Sequence, residues 1–472
     1  MIHEPFVTPY RLLALVVAVV VLGTTPAHAA GVVGTGTAGS CTDAALDVAL
    51  MGGGLVTFNC GAAPVTIVFQ GTKVIDSGTT TIQGGGHVAF DGENLRQLFY
   101  VIGGASLSLS SVTLQDSRAS NGGAVLNQGE LTLTDVTLAY NTAEGGNGGA
   151  VYNDGALFVS DSSFLGNAAD VDGGAIYATN GSAADMQRSL FSGNAATNNG
   201  GALALNGVGI VFTLTNSTLT GNAASRGGGL HAAGSVTLLN DTLEANRSTQ
   251  GGALWHDSGT TRVMNTILHG SRSLDDQSPE LDCDGIVIVS DGHNVMGDGS
   301  CNGDAGNGDQ IGVDPMLGAL AENGGPTWTL LPGFGSPAID AGTNAGCPSL
   351  DQRSAPRPLD GDNNGSAICD VGAVEVPEPG AALTGAAGLV SLLILTRRRE
   401  TCRLASMHFG SRLPSILGGS RLGGSQPLRR GALRSGRKPG VRATLEGPNS
   451  TPPGTLQLAE VEPAGSLDTP QS

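Results

Sequence analysis

A short repeat limits what this chain can fold into more than any other feature. Glycine pairs begin at Gly122, Gly148, Gly173, Gly200, Gly227 and Gly251, with spacings of 26, 25, 27, 27 and 24 residues. Between them recurs a phrase ending in Asn. It reads DVTLAYN (135–141), DSSFLGN (161–167), RSLFSGN (188–194), NSTLTGN (216–222) and NDTLEAN (240–246), with flanking copies SVTLQDS (111–117) and NTILHGS (265–271). Self-similarity at such a period marks a solenoid or array. Aligning the copies gives four apolar columns. The first starts Leu107, Leu131, Leu157, and the second, two residues on, starts Leu109, Leu133, Val159. The third starts Leu114, Leu138, Phe164, and the fourth, after each glycine pair, starts Val125, Val151, Ile176. A spacing of two within a copy is the β-strand period. Helical periodicity is absent, and the glycine content opposes helices. No copy holds an amphipathic helix or the leucine-rich asparagine phrase, and a propeller blade needs about 40 residues or more. One copy cannot bury its apolar face, but copies stacked about 4.8 Å apart bury the columns as continuous ladders. The expected fold is all-β: a solenoid of parallel strands.

Gly and Asn suit the corners because they tolerate positive φ at low cost. The recurring Asn141, Asn167, Asn194, Asn222 and Asn246 are expected to stack as a side-chain amide ladder, with ligand contact as the alternative. Residues 42–50 read as a short amphipathic helix with Thr42 as N-cap, placed to cover the first rung as a capping helix must. Runs 65–69 and 79–82 then begin the stack.

The pattern GGA-apolar-x-N, followed by a strand and F/L-x-G-N, resembles the repeats of polymorphic outer-membrane proteins of chlamydiae. It is also similar to the wider right-handed parallel β-helix family with the pectin-lyase-like fold. The resemblance covers about 104–271 and implies a right-handed β-helix at a cell surface. Two later stretches, DPMLGALAENGGPTWTLLPGFGSPAIDAG (314–342) and DQRSAPRPLDGDNNGSAICDVGAVE (351–375), resemble the terminal module of choice-of-anchor surface proteins. Pro377-Glu378-Pro379, an apolar run over 380–396 and Arg397-Arg398-Arg399 resemble a PEP-CTERM sorting signal of Gram-negative bacteria. That resemblance implies processing by an exosortase. The seventeen residues span about 25 Å as a helix, slightly short of a hydrocarbon core of about 30 Å, and the arginines would stay cytoplasmic.

The N-terminus reads as a secretory signal over 1–30. An aliphatic run spans 12–22 and Ala27-His28-Ala29 forms the cleavage motif, so signal peptidase is expected to cut after Ala29 or Ala30. Between Gly31 and Val376 there are 10 basic and 34 acidic residues, a net of −24, whereas 400–472 holds 9 basic and 5 acidic residues. The acidic part resists nucleic acid and anionic lipid. The basic, Gly/Ser/Pro-rich tail reads as disordered. Six cysteines fall into local pairs, Cys41 with Cys60, Cys283 with Cys301 and Cys347 with Cys369, and Cys402 is left over. Such pairs fit disulfides in an oxidising compartment, and no CxxC spacing supports a metal site. The domain reading is a signal peptide (1–30), cap and first rungs (31–103), repeats (104–271), acidic rungs and terminal module (272–376), membrane anchor (377–399) and tail (400–472).

Three places could carry chemistry. The column after the glycine pairs holds Leu126, Tyr152, Tyr177, Ala204, His231 and Trp255. It alternates with inward residues, so it should face out. Tyr152, Tyr177, His231 and Trp255 are candidates to stack on sugar rings, with packing beneath a loop as the alternative. The best catalytic guess is His231, His256 and Asp257. A lyase or hydrolase on this scaffold needs grouped carboxylates and a basic residue, and the exported part has one lysine, Lys73, and no carboxylate cluster visible in the repeats. Arg353 to Arg357 (RSAPR) does not match the arginine motif of pectate lyases. Asp360, Asp362 and Asn364 resemble the first half of a calcium loop, but position twelve is Val371, not Glu. A looser structural Ca²⁺ site is the alternative to a solvated acidic loop, and no cofactor is required. The expected function is adhesion to an extracellular polysaccharide or cell-surface glycan at the cell surface, outer membrane or extracellular matrix, without catalysis. The other reading is a polysaccharide lyase or glycoside hydrolase. No nucleic-acid partner is expected.

Overall fold

Each repeat forms one coil, and the coil from Glu130 to Gly155 shows how. Strand Glu130–Ala139 bends at Asp135, whose φ is +55°, and a second turn comes at Tyr140, also at +55°. Asn141 follows, then the short strand Thr142–Ala143, a glycine loop, and strand Val151–Asn153. Asp and Asn tolerate left-handed φ better than most residues. That explains the bend residues Asp135, Asp161, Asn216, Asn240 and Asn265, each at positive φ. Arg188 takes the same conformation and is tied to Asp161 one coil earlier by two 2.8 Å hydrogen bonds.

The computed structural model describes residues 31–377, apart from 180, 208, 276–278 and 280. The signal segment with Ala29 and Ala30, the anchor from Glu378 and Pro379 to Arg397, Arg398 and Arg399, and the tail with Cys402 lie outside the described residues. Among the described residues no helix is long and apolar enough to cross a membrane.

The fold is an all-β parallel solenoid of about ten turns with very little helix. The strand ladders are parallel, and the four columns pair in register. Leu131 sits between Leu107 and Leu157, Leu133 between Leu109 and Val159, and Leu138 between Leu114 and Phe164. Val151 sits between Val125 and Ile176. These residues are buried and form one core that runs through the coils. Within it Phe164 and Phe191 stack with centroids 4.7 Å apart.

The asparagine ladder forms as expected. Asn167 Nδ2 donates to Asn194 Oδ1 (2.9 Å) and to the Leu138 carbonyl (3.0 Å), while Asn167 N–H also donates to Asn194 Oδ1. The pattern repeats from Asn141 to Asn246, all fully buried. A second corner carries a ladder of short polar side chains. The N–H of Ser162 donates to Ser189 Oγ, that of Ser189 to Ser217 Oγ, and that of Ser217 to Asp241 Oδ1. Each side chain serves a backbone group that the turn would otherwise leave unpaired in the core.

Helix Asp43–Leu50 covers the first coil and buries Leu46 and Ala49, with Thr42 Oγ1 accepting from Ala45 N–H at 3.2 Å. The one lysine of this part, Lys73, is buried, and its Nζ lies 2.6 Å from both Asp43 and Asp47. Lys73 therefore pins the cap and is not an exposed base. The disulfides Cys41–Cys60, Cys283–Cys301 and Cys347–Cys369 are formed.

The last strand of the stack is Gln310–Ile311. Residues 314–376 then run back along its flank instead of extending it. Thr327 reaches the Arg188 carbonyl, Leu350 and Gln352 meet Asn216 and Thr218, and Asp370 and Ala373 meet Asn240 and Thr242. Ala338 and Val371 pack on Ile267 and Val295. The outward ladder beneath suits the cover: after Thr113, Thr137 and Ser163 it runs Leu190, Thr218, Thr242, Ile267 and Val295, all buried, with Thr218 and Thr242 bonded to Gln352 and Ala373 of the module.

Replacing Asn194 by Ala should destabilise the chain by about 3 kcal/mol. The Asn167 N–H and the Phe164 carbonyl both lose a buried partner, each worth about 1–3 kcal/mol. Urea denaturation measures this; a loss below about 1 kcal/mol would show that the ladder is dispensable.

Candidate functional site

The residues after the glycine pairs lie in one row, because strands Phe99–Val101, Val125–Asn127, Val151–Asn153, Ile176–Ala178, Leu203–Leu205, Leu230–Leu239 and Leu254–Met264 pair in register. The row reads Tyr100, Leu126, Tyr152, Tyr177, Ala204, His231, Trp255. Tyr100 was not among the sequence candidates because its coil lacks the glycine pair that marks the others. Tyr152 and Tyr177 stack with centroids 5.2 Å apart and planes 27° apart.

The row is not a uniformly exposed stripe. The tyrosines and Trp255 are half-buried, while Ala204 is fully buried and His231 is 4% exposed. The Arg226 guanidinium lies 5.3 Å from the Trp255 ring centroid, a cation–π distance. His231 Nδ1 and Trp255 Nε1 are buried without a hydrogen-bond partner on the described chain. Burial pushes the Tyr152 hydroxyl pKa up, and Asp154 pushes the same way. Burial does the same at Tyr177, helped by Tyr152 and Asp172 and opposed by Asn206. Burial lowers the His231 pKa against the pull of Asp257 and Asp172, so the ring is held towards its neutral form.

The three catalytic candidates do not share one site. His231 pairs with Trp255 in the row, while His256 pairs with Ala232 one position on and is 1% exposed. Neighbouring side chains on a strand point to opposite faces, so the two imidazoles diverge. The ladder slips between Ala232 and Ala233, which leaves Asp257 unpaired and exposed. His256 Nδ1 lies 3.2 Å from the Val287 carbonyl.

The acidic loop gains a member from outside its own segment. Ligand oxygens of Asp340, Asp360 and Asp362 all lie within 4.8 Å of one another. Asp340 Oδ2 accepts from the N–H groups of Gly361 and Asp362 at 2.9 and 2.7 Å. Burial raises the Asp340 pKa, opposed by these N–H bonds. Asn364 turns its amide nitrogen to Asp362 (2.9 Å), and its Oδ1 accepts from Ser366 N–H. Asp340, which the sequence reading did not include, thus joins Asp360 and Asp362. Val371 is fully buried in the contact with Ile267, so it has no place in an EF-hand. The two arginines of RSAPR are structural. Arg353 pairs with Asp351 at 2.8 Å. Arg357 donates to Asn216 Oδ1 (2.9 Å) and the Gly372 carbonyl (2.8 Å), and lies 3.0 Å from Glu375.

Residues 161–179 and 188–206 each match the Chlamydia polymorphic membrane protein repeat. Each matched segment runs from the left-handed bend through the ladder asparagine and the glycine pair to the outward row, at Tyr177 or Ala204. With the parallel solenoid, the match suggests a surface or outer-membrane protein with a β-helix fold. No curated protein matches the chain.

The asparagine corner continues past Ser271 into Asp282, whose Oδ1 accepts from Ser271 N–H at 3.0 Å. Burial pushes this carboxyl up to about 6, with Asp298 adding and the Ser271 bonds and His269 opposing. A folded pKa above the unfolded value gives stability that is full below about pH 4 and lost as pH rises through about 6. Raising pH from 4 to 7 should therefore remove about 2 kcal/mol, because each tenfold change in proton affinity is worth about 1.4 kcal/mol and part of the effect is already lost at pH 4. Asp282→Asn should abolish that share of the pH dependence in denaturant titrations. An unchanged pH profile in the variant would assign the dependence elsewhere.

Proposed function

We propose that this chain is an exported, surface-held adhesive protein that contacts glycan through the aromatic row of its β-helix and performs no catalysis. The observation that carries this reading is the stacked pair Tyr152–Tyr177, set in register along one flank, with Trp255 three coils further along the same row. Rings fixed by strand register present apolar faces at little entropic cost. Each contact with a sugar ring is weak, and a polymer that spans several coils gains by multivalency. An enzyme of this architecture would need an exposed acid–base group. The basic residues closest to that role, Lys73, Arg353 and Arg357, are committed to buried ion pairs.

Export follows from the N-terminal signal, and retention from the PEP-CTERM-like segment beginning at Pro377, processed by an exosortase-type enzyme. Material released from the cell surface is expected to begin at Ala30 or Gly31 by mass spectrometry and to bind a glycan array. The double variant Tyr152→Ala, Tyr177→Ala should bind roughly tenfold more weakly, a loss of about 1.4 kcal/mol. Protein confined to the cytoplasm, or a variant that binds as the native chain does, would count against the reading.

A structural Ca²⁺ held by Asp340, Asp360 and Asp362 belongs to the same reading. Hard carboxylate oxygens suit that ion, and the loop lies on the module that packs against the solenoid. Adding 1 mM Ca²⁺, on the order of the affinity of extracellular Ca²⁺ modules, should raise the melting temperature, and EDTA should reverse the gain. A melt indifferent to both removes the ion from the account.

A further inference from the structure

The position that ends the second straight run of each coil is a left-handed corner. In successive coils it is Asp116, Tyr140, Gly166, Gly193, Gly221, Ala245 and Gly270, all at positive φ. Glycine takes this conformation freely, whereas an L side chain is strained there. Tyr140 is the only aromatic of the series, and its ring is 64% exposed. The ring lies along the surface over Gly166, where a Cβ would come within 2.9 Å of Tyr140 Cε1. A strained residue that keeps a large exposed ring needs a reason other than the fold.

Tyr140 forms one wall of a cleft of about 550 Å³, and Trp328 and Pro326 of the returning module form the other. That volume is typical of small-ligand sites. Trp328 is 53% exposed, yet its backbone is fixed. The N–H of Thr329 donates to the Ala321 carbonyl, and the buried Gln352 amide donates to Thr327 Oγ1 (3.0 Å) and the Trp328 carbonyl (3.4 Å). The floor is the outward face of three coils, where Thr137 and Ser163 share a row with Leu190 and Ser192 shares one with Leu165, so hydroxyls alternate with apolar side chains beside Gly166 and Gly193. The hydroxyls of these three residues make no hydrogen bond to the described chain. No charged side chain lines the cleft, although the part from Gly31 to Val376 carries 34 acidic and 10 basic residues.

We propose that this cleft binds a neutral saccharide, with sugar rings stacked on Tyr140 and Trp328 and their hydroxyls bonded to Thr137, Ser163 and Ser192. The chemistry selects the ligand class. A charged ligand finds no counter-charge here, and a purely apolar one would leave three hydroxyls desolvated without partners. A sugar offers an apolar C–H face to each ring and hydroxyls to the floor. The proposal rests on the glycan reading for its ligand class but uses residues apart from the Tyr152–Trp255 row, so each can fail without the other.

The chain has two tryptophans, Trp255 and Trp328, so in the full chain carrying Trp255→Phe all tryptophan fluorescence reports on Trp328. Titration of that chain with cellohexaose, maltohexaose, chitohexaose and, as an acidic control, trigalacturonate should show saturable quenching by at least one neutral oligosaccharide and none by the acid. Calorimetry on the chain that keeps Trp255 should show that Trp328→Ala and Tyr140→Gly each weaken binding about tenfold, while Phe334→Ala, at an exposed ring outside both the cleft and the aromatic row, changes it less than about twofold. Tyr140→Gly restores the residue used in neighbouring coils, so its melting temperature should hold or rise. Loss of binding with a fallen melting temperature would make Tyr140 structural and overturn the proposal. Weakening by Tyr177→Ala alone would return the site to the aromatic row. Absence of binding by every oligosaccharide, preference for the acid, or a dimer dispersed by Trp328→Ala in sedimentation would each overturn the cleft as a saccharide site.

Discussion

The structure depends on polar side chains that lie inside the stack and bond along its axis. Apolar columns alone would tolerate sliding one coil against the next by two residues, since Leu, Val and Phe fill a ladder interchangeably. The buried amides do not. Each ladder Asn from Asn141 to Asn222 accepts from the main chain of the coil before it and donates to the coil after it and to a carbonyl at the corner. A slip would leave several of these groups unpaired in the core, at about 1–3 kcal/mol each. Register is thus set by hydrogen bonding at the corners, while apolar burial supplies the bulk of the driving force. The outward row of aromatics exists only because that register holds.

The parts of this arrangement visible in the sequence are those with a local cause. Period-two alternation and the fixed repeat placed Leu131, Leu133, Leu138 and Val151 inside. The recurrence of one residue type placed Asn141 to Asn246 at a corner. The serine ladder was equally present in the aligned phrases, at Ser162, Ser189, Ser217, Asp241 and Thr266, yet it resembles the solvent side of a strand. Its inward direction depends on the left-handed residue just before it, Asp161, Arg188, Asn216, Asn240 or Asn265, which breaks the alternation. Aspartate and asparagine at that position are a usable signal for the bend, whereas Arg188 conceals it.

What escaped the sequence was brought together from afar. Asp340 joins Asp360 and Asp362 across twenty residues of irregular chain, where no spacing rule applies. Trp328 meets coils whose residues lie well over a hundred positions earlier, because the terminal module folds back along the flank. His231 alternates as a surface residue should, but it is buried, and Arg226 approaches Trp255 in the next coil of the same row. His231 and His256 are near in sequence terms and on adjacent coils, but strand alternation sends them to opposite faces. Proximity along the axis is a weaker guide to a shared site than parity along the strand.

In a solenoid of this kind the inside and the outside of a coil obey separate constraints. Inward and corner residues must match their neighbours above and below, so they repeat. Outward residues answer only to solvent or to what covers them. The burial of this row from Leu190 through Thr218 and Thr242 to Ile267 and Val295 tracks the returning module, and is explained by that cover. Tyr140 at a glycine corner, the Tyr152–Tyr177 stack and the half-buried Trp255 have no such explanation from the fold. A departure from the repeat that the neighbouring coils do not require is where a surface of this architecture can hold a specific function. By that test the informative residues here are outward aromatics.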